Sequence, residues 1–170
     1  ETGSAARFNR RLGLGGAAIG SLSVADSCGR AVRVLRPPGY LHSAAEDLAV
    51  PEKSAARFAV QRDPAASGGA LALLQGRRPG DFVTFTVPIP QAGLYSLTTG
   101  TKTRSDRGFA QLFIDGFAQG FTQDEFSPSP DYAMRALGSF TFARAGDEQF
   151  EFMLTHRNAV SRGYTLGRDY

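Results

Sequence analysis

Tryptophan is absent from this chain of 170 residues, cysteine occurs once and histidine twice. The missing indole removes the broadest flat side chain from any platform for a flat ligand. Cys28 alone cannot close an internal disulfide. With His42 and His156 it falls short of the donors that a zinc site draws on. No Gly-x-Ser-x-Gly elbow is present to carry a nucleophilic serine. No run of about 18 apolar residues occurs, which excludes a membrane-spanning helix. Residues 41–170 hold 13 basic and 14 acidic side chains, so the net charge of +3 comes from residues 1–40. A near-neutral body lacks the basic stripe that a nucleic-acid backbone requires.

What the chain has instead is alternation. From Asp81 to Thr101, Val83, Phe85 and Val87 share one parity, and Tyr95, Leu97 and Thr99 share another. Period two of this kind marks half-buried antiparallel strands. Pro88, Pro90 and Gly93 separate the two runs, and the stretch reads as a hairpin. The same grammar recurs downstream. Ala110, Leu112 and Ile114 lead to an Asp115-Gly116 turn, and Phe140 and Phe142 lead to a turn at Ala145–Asp147. Phe150, Phe152 and Leu154 form a further run, and Tyr164 opens a last strand. Upstream, Leu41–Leu48 and Gly69–Leu74 read as strands, with a long Ala-, Pro- and Ser-rich connection over 49–68. Phe117–Asp131 reads as a long loop. Seven or eight short strands with turns between them predict an all-β antiparallel β-sandwich, with phenylalanine filling the gap between sheets.

Residues 1–40 do not follow this pattern. Arg10-Arg11 before a Gly/Ala-rich run that ends at Ser23-Val24-Ala25 resembles a twin-arginine export signal; the other reading is a linker. Gly13-Leu14-Gly15-Gly16-Ala17-Ala18 approximates a dinucleotide fingerprint but lacks the βαβ context that the fingerprint needs. Ala31–Leu35 reads as a short strand, and Pro37-Pro38-Gly39 as a boundary. The expected organisation is an irregular segment over 1–40 and a sandwich over 41–170.

Three segments carry a resemblance. Ala45-Glu46-Asp47-Leu48 resembles the EAED opening of carbohydrate-binding modules of families 6 and 35. Gly80–Val87 with Ala92–Tyr95 resembles their GDWVEFTV…AGTY segment. Asn158–Tyr170 resembles the NAASSGYTLGLDY close of related modules in bacterial secreted glycosidases. The resemblance implies a jelly roll that binds a poly- or oligosaccharide without catalysis, outside the cytoplasm, attached to neighbouring domains. It also implies further apolar residues beyond Tyr170, as in a piece of a longer polypeptide. A structural calcium would be held by Glu46 and Asp169, although the first acidic position of the motif is Ala44 here. Sugar contacts would come from Asn158, from the aromatic residues Tyr164, Tyr132, Phe121 and Phe126, and from Arg104, Asp106 and Arg107 beside Lys102 in a loop similar to KTGPDRG.

Two other classes stay open on the residues alone. One is a structural or protein-docking domain of a larger secreted enzyme. The other is a small glycan-active hydrolase, because Asp124, Glu125 and Asp131 share one stretch.

Overall fold

The computed structural model describes residues 41–170, together with the backbone of two short strands, β1 (Ser23–Ala25) and β2 (Ala31–Arg33), which pair antiparallel. Strand β2 falls within the expected Ala31–Leu35. The twin-arginine-like run before Ser23 and the Gly13–Ala18 stretch lie outside the described residues.

Ten further strands follow: β3 (Glu52–Lys53), β4 (Arg57–Arg62), β5 (Ala70–Gly76), β6 (Phe82–Ile89), β7 (Gly93–Thr103), β8 (Phe109–Ile114), β9 (Phe117–Asp124), β10 (Asp131–Phe142), β11 (Gly146–His156) and β12 (Tyr164–Arg168). They form two five-stranded antiparallel sheets, ordered β10-β7-β12-β5-β4 and β3-β6-β11-β8-β9. The described residues contain no helix. The expected all-β sandwich is therefore the fold observed.

The expected hairpin is not. Strands β6 and β7 lie in opposite sheets, β6 paired with β11 and β7 with β10. Pro88 still pairs with Asp147 inside β6, but Pro90 lies just past the end of that strand, and there the chain leaves one sheet and enters the other. Three other segments depart from expectation. Ala45–Asp47 is a turn and not part of a strand. The connection over 49–68 contains β3 and β4. The supposed loop after Gly116 is largely strand β9.

The core lies between the sheets. Val83, Phe85, Leu112, Ile114, Phe152 and Leu154 from one sheet meet Ala72, Leu74, Leu166 and Phe142 from the other, all buried. Aromatic rings bridge the gap: Phe58 meets Phe85 at 6.2 Å and Phe142 meets Phe150 at 6.1 Å between centroids. Each fully buried ring contributes roughly 1.5–3 kcal/mol. Asp115 and Gly116 both adopt positive φ, 52° and 77°, which is the two-residue hairpin their dipeptide predicts.

Candidate functional site

Three connections meet at one end of the sandwich: β7–β8 (104–108), β9–β10 (125–130) and β11–β12 (157–163). They are stitched to one another rather than left free. Arg104 N donates to Glu125 O at 3.3 Å, and Ser127 N to Arg104 O at 3.1 Å. Arg162 N donates to Ser105 O at 2.8 Å, and Ser161 Oγ to Arg107 O at 2.7 Å. Ser161 is buried, so its hydroxyl works as an internal clasp. Loops cross-bonded in this way present their outer side chains on a stiff base.

Asn158 sits at the seam. Its Nδ2 donates to Asp124 Oδ2 at 3.0 Å, and its Oδ1 accepts from Val160 N at 3.2 Å. Asp124 Oδ1 accepts from Phe126 N at 2.9 Å, so Phe126 is tied to the same cluster. One N–H of the Asn158 amide remains for an outside acceptor. Arg104 and Asp106 face each other at 3.5 Å in the adjoining loop, both partly exposed. The loop end therefore brings together Asn158, Phe126, Arg104 and Asp106 of the expected residues and adds Asp124, which ties Asn158 to Phe126.

Other expected residues lie elsewhere. Arg107 is only 1% exposed. Its Nε donates to Lys102 O at 2.7 Å and its Nη1 to Thr165 Oγ1 at 2.6 Å, while Gly167 leaves room for the guanidinium. Burial lowers its pKa from the usual guanidinium value, opposed by the charge of Glu125. Arg107 is thus a strut beneath the loop and not a surface contact. Tyr164 packs against the core, with Arg157 5.5 Å above its ring. Tyr132 lies beside Lys102, whose ammonium stands 5.3 Å from the ring centre and pairs with Asp63. Burial, with the Asp63 carboxylate beside it, pushes the Tyr132 phenol well up. Phe121 is on β9, 88% exposed.

Glu125 is sealed at 0% exposure and ion-paired with Arg168, so the Asp124–Glu125 pair is not open to a substrate. The buried pair had no signal in the sequence, because each partner reads as a surface charge.

Glu46 and Asp169 come together near the opening turn, where Ala45 N donates to Asp169 O at 3.1 Å. Asp169 Oδ1 accepts from Ser67 N and Ser67 Oγ, both at 2.9 Å. Glu46 Oε2 is buried and has no partner among the described residues. Burial raises the Glu46 pKa, and the Asp169 charge adds to it. Among the described residues no three of His, Cys, Asp and Glu converge, so a cation here would rest on two carboxylates plus main-chain or hydroxyl oxygens. An orphaned carboxylate oxygen beside a second acid fits such a cation.

No protein-family model matches the chain, and no curated protein matches it. Solved structures do. A Paenibacillus xanthan lyase matches with a TM-score of 0.70 at 28% identity, over 74% of this chain and 12% of that one. A family 35 carbohydrate binding module from Clostridium thermocellum matches with a TM-score of 0.50 at 21% identity, over 75% of this chain and 93% of that one. The chain thus spans about an eighth of the lyase and nearly the whole of the module. The fold is that of a family 35-like carbohydrate-binding module, as the three sequence segments imply.

Proposed function

We propose that residues 41–170 form a non-catalytic carbohydrate-binding module that serves a larger extracytoplasmic polypeptide. The observation that carries this reading is the cross-bonded loop end, where Asp124 holds the Asn158 amide beside Arg104, Asp106 and Phe126. A sugar offers hydroxyls that both donate and accept, and a C–H face that packs on apolar side chains. Asn158 donates and Asp124 accepts within one small area, which suits a hydroxyl pair. The likeness to a module of that class supports the same reading. Glu46 and Asp169 would hold a structural calcium ion that ties the opening turn to the closing strand.

Calorimetry against soluble poly- and oligosaccharides tests this function. Binding is expected for at least one glycan. Asn158→Ala is expected to weaken it roughly fivefold, the equivalent of one hydrogen bond of about 1 kcal/mol. A broad glycan array without a hit would overturn the reading.

A further inference from the structure

Strand β9 contains a short repeat that the loop-end site does not use. Phe117-Ala118-Gln119 is followed, after Gly120, by Phe121-Thr122-Gln123. The repeat is structural as well as sequential. Gln119 Nε2 donates to Phe117 O at 3.2 Å, and Gln123 Nε2 donates to Phe121 O at 2.9 Å. Both phenylalanines stand in solvent, 73% and 88% exposed. Each unit is therefore an uncovered ring beside an amide whose nitrogen bonds its own strand, that of Gln123 reaching Ala136 O of β10 as well at 3.4 Å. The amide oxygen remains an acceptor.

The exposure of Phe121 is built and not incidental. Ala110 pairs with Gln123 and Leu112 with Gln119, so Gly120, Phe121 and Thr122 together oppose the single residue Gln111. Gln111 is buried and holds both flanks of this bulge. Its Nε2 donates to Gln119 O at 2.7 Å, and its Oε1 accepts from Thr122 Oγ1 at 2.9 Å. Gly120 has φ 64°, and a Cβ there would collide with the Leu137 carbonyl. A bulge anchored on three sides re-aims one side chain outward. That side chain is an aromatic ring with no aromatic or cationic partner among the described residues, and a second exposed ring, Phe117, lies four residues back on the same edge strand.

Strand β9 ends at Asp124, the residue that holds Asn158. We propose that β9 is a linear extension of the loop-end site for a polysaccharide chain. Phe121 and Phe117 are successive stacking positions, and Gln123 and Gln119 accept hydroxyls from the stacked sugars. A binding surface that repeats suits a ligand that repeats. This inference rests on the carbohydrate-binding reading above and adds that the module grips the length of a chain and not only one terminal sugar.

The test is affinity electrophoresis and calorimetry of the full chain with β-mannan, xylan and xanthan, and with oligomers from monomer to hexamer. Phe121→Ala is expected to weaken binding to long chains roughly fivefold and to leave monomer binding unchanged. Phe121→Trp is expected to keep long-chain binding, and Phe117→Ala combined with Phe121→Ala to remove the gain in affinity with length. Asn158→Ala is expected to weaken binding at every length. Long-chain affinity unaltered in the double Phe variant, with Asn158→Ala still impaired, would overturn this inference alone. Absence of binding to every probe by the unmodified chain would overturn both readings. Concentration-dependent self-association abolished by Phe121→Ala, with glycan binding intact, would assign the strand to a second copy instead.

Discussion

Arg168 of β12 and Glu125 of the β9–β10 loop form an ion pair at the loop end of the core, 43 residues apart in the chain and both shut off from solvent. Arg168 continues the inward parity of Leu166, and its guanidinium lies 4.2 Å from the ring centre of Phe152. Glu125 is also clasped by its backbone, which donates to Gly108 O at 3.3 Å and accepts from Arg104 N. One buried carboxylate thus links the loop-end site to the closing strand.

A buried charge stripped of its counterion is left uncompensated in a poor solvent. Glu125→Ala or Arg168→Ala alone is therefore expected to cost about 3–5 kcal/mol. Glu125→Leu combined with Arg168→Met is expected to cost much less than the sum of the single changes. Urea unfolding midpoints over the full double-mutant cycle measure this. Additive losses would show that the two groups act separately.

The pH dependence of stability follows from Glu46. Burial first, and then the Asp169 charge, holds its pKa above 4.5, against a lowering bond to its own backbone. The folded protein keeps this proton to a higher pH than the unfolded chain does. Between pH 4.5 and the folded value the native state binds more protons, so this group's contribution falls as pH rises. Glu46→Gln is expected to remove that loss and raise the melting temperature at pH 7 in chelator. Added calcium is expected to stabilise the unmodified chain at pH 7 and to leave Glu46→Gln unmoved, as thermal unfolding with and without chelator would show. Equal responses to calcium would place the ion elsewhere.

Much of the sandwich was legible because its core strands keep strict parity. Val83 and Phe85, Ala110 and Leu112, and Phe150 and Phe152 all point where alternation puts them. Strand β9 was not legible. Its large apolar residues, Phe117 and Phe121, are exposed and interleaved with glutamine, so they give no buried stripe, and Gly120 at positive φ reads as a loop residue. Strand β4 is an edge strand whose Arg57, Val60, Gln61 and Arg62 are exposed, so it carries little apolar pattern. Sheet assignment also escaped the sequence, since a hairpin and a change of sheet at Pro88–Pro90 use the same turn residues. The partners of Arg107, Glu125 and Arg168 lie across other elements, and no local spacing reports them.

Gly167 governs Arg107. A Cβ at this position would lie 2.6 Å from Arg107 Nη2 and 3.3 Å from Leu71 Cδ2. The guanidinium would have to leave Lys102 O and Thr165 Oγ1, which it holds at 2.7 and 2.6 Å. Gly167→Ala is expected to destabilise the fold by about 1–3 kcal/mol, the usual penalty of overpacking. Amide hydrogen exchange is expected to quicken at Gly108 and Thr165, whose main chains join the same loop. Unaltered exchange there, with stability lost elsewhere, would separate Arg107 from the loop.

Gln111 is the corresponding control for the β9 bulge. Its amide is buried and makes three bonds, to Leu112 O at 3.0 Å, to Gln119 O at 2.7 Å and from Thr122 Oγ1 at 2.9 Å. At about 1 kcal/mol for each neutral bond, Gln111→Ala is expected to lower stability by roughly 2–3 kcal/mol. The change leaves both phenylalanines in place. If their rigid presentation matters, Gln111→Ala must also weaken long-chain glycan binding at a temperature where the protein remains folded. Circular dichroism fixes that temperature, and calorimetry below it reads the affinity. A folded Gln111→Ala variant with undiminished long-chain affinity would show that the exposed rings act without the bulge that holds them.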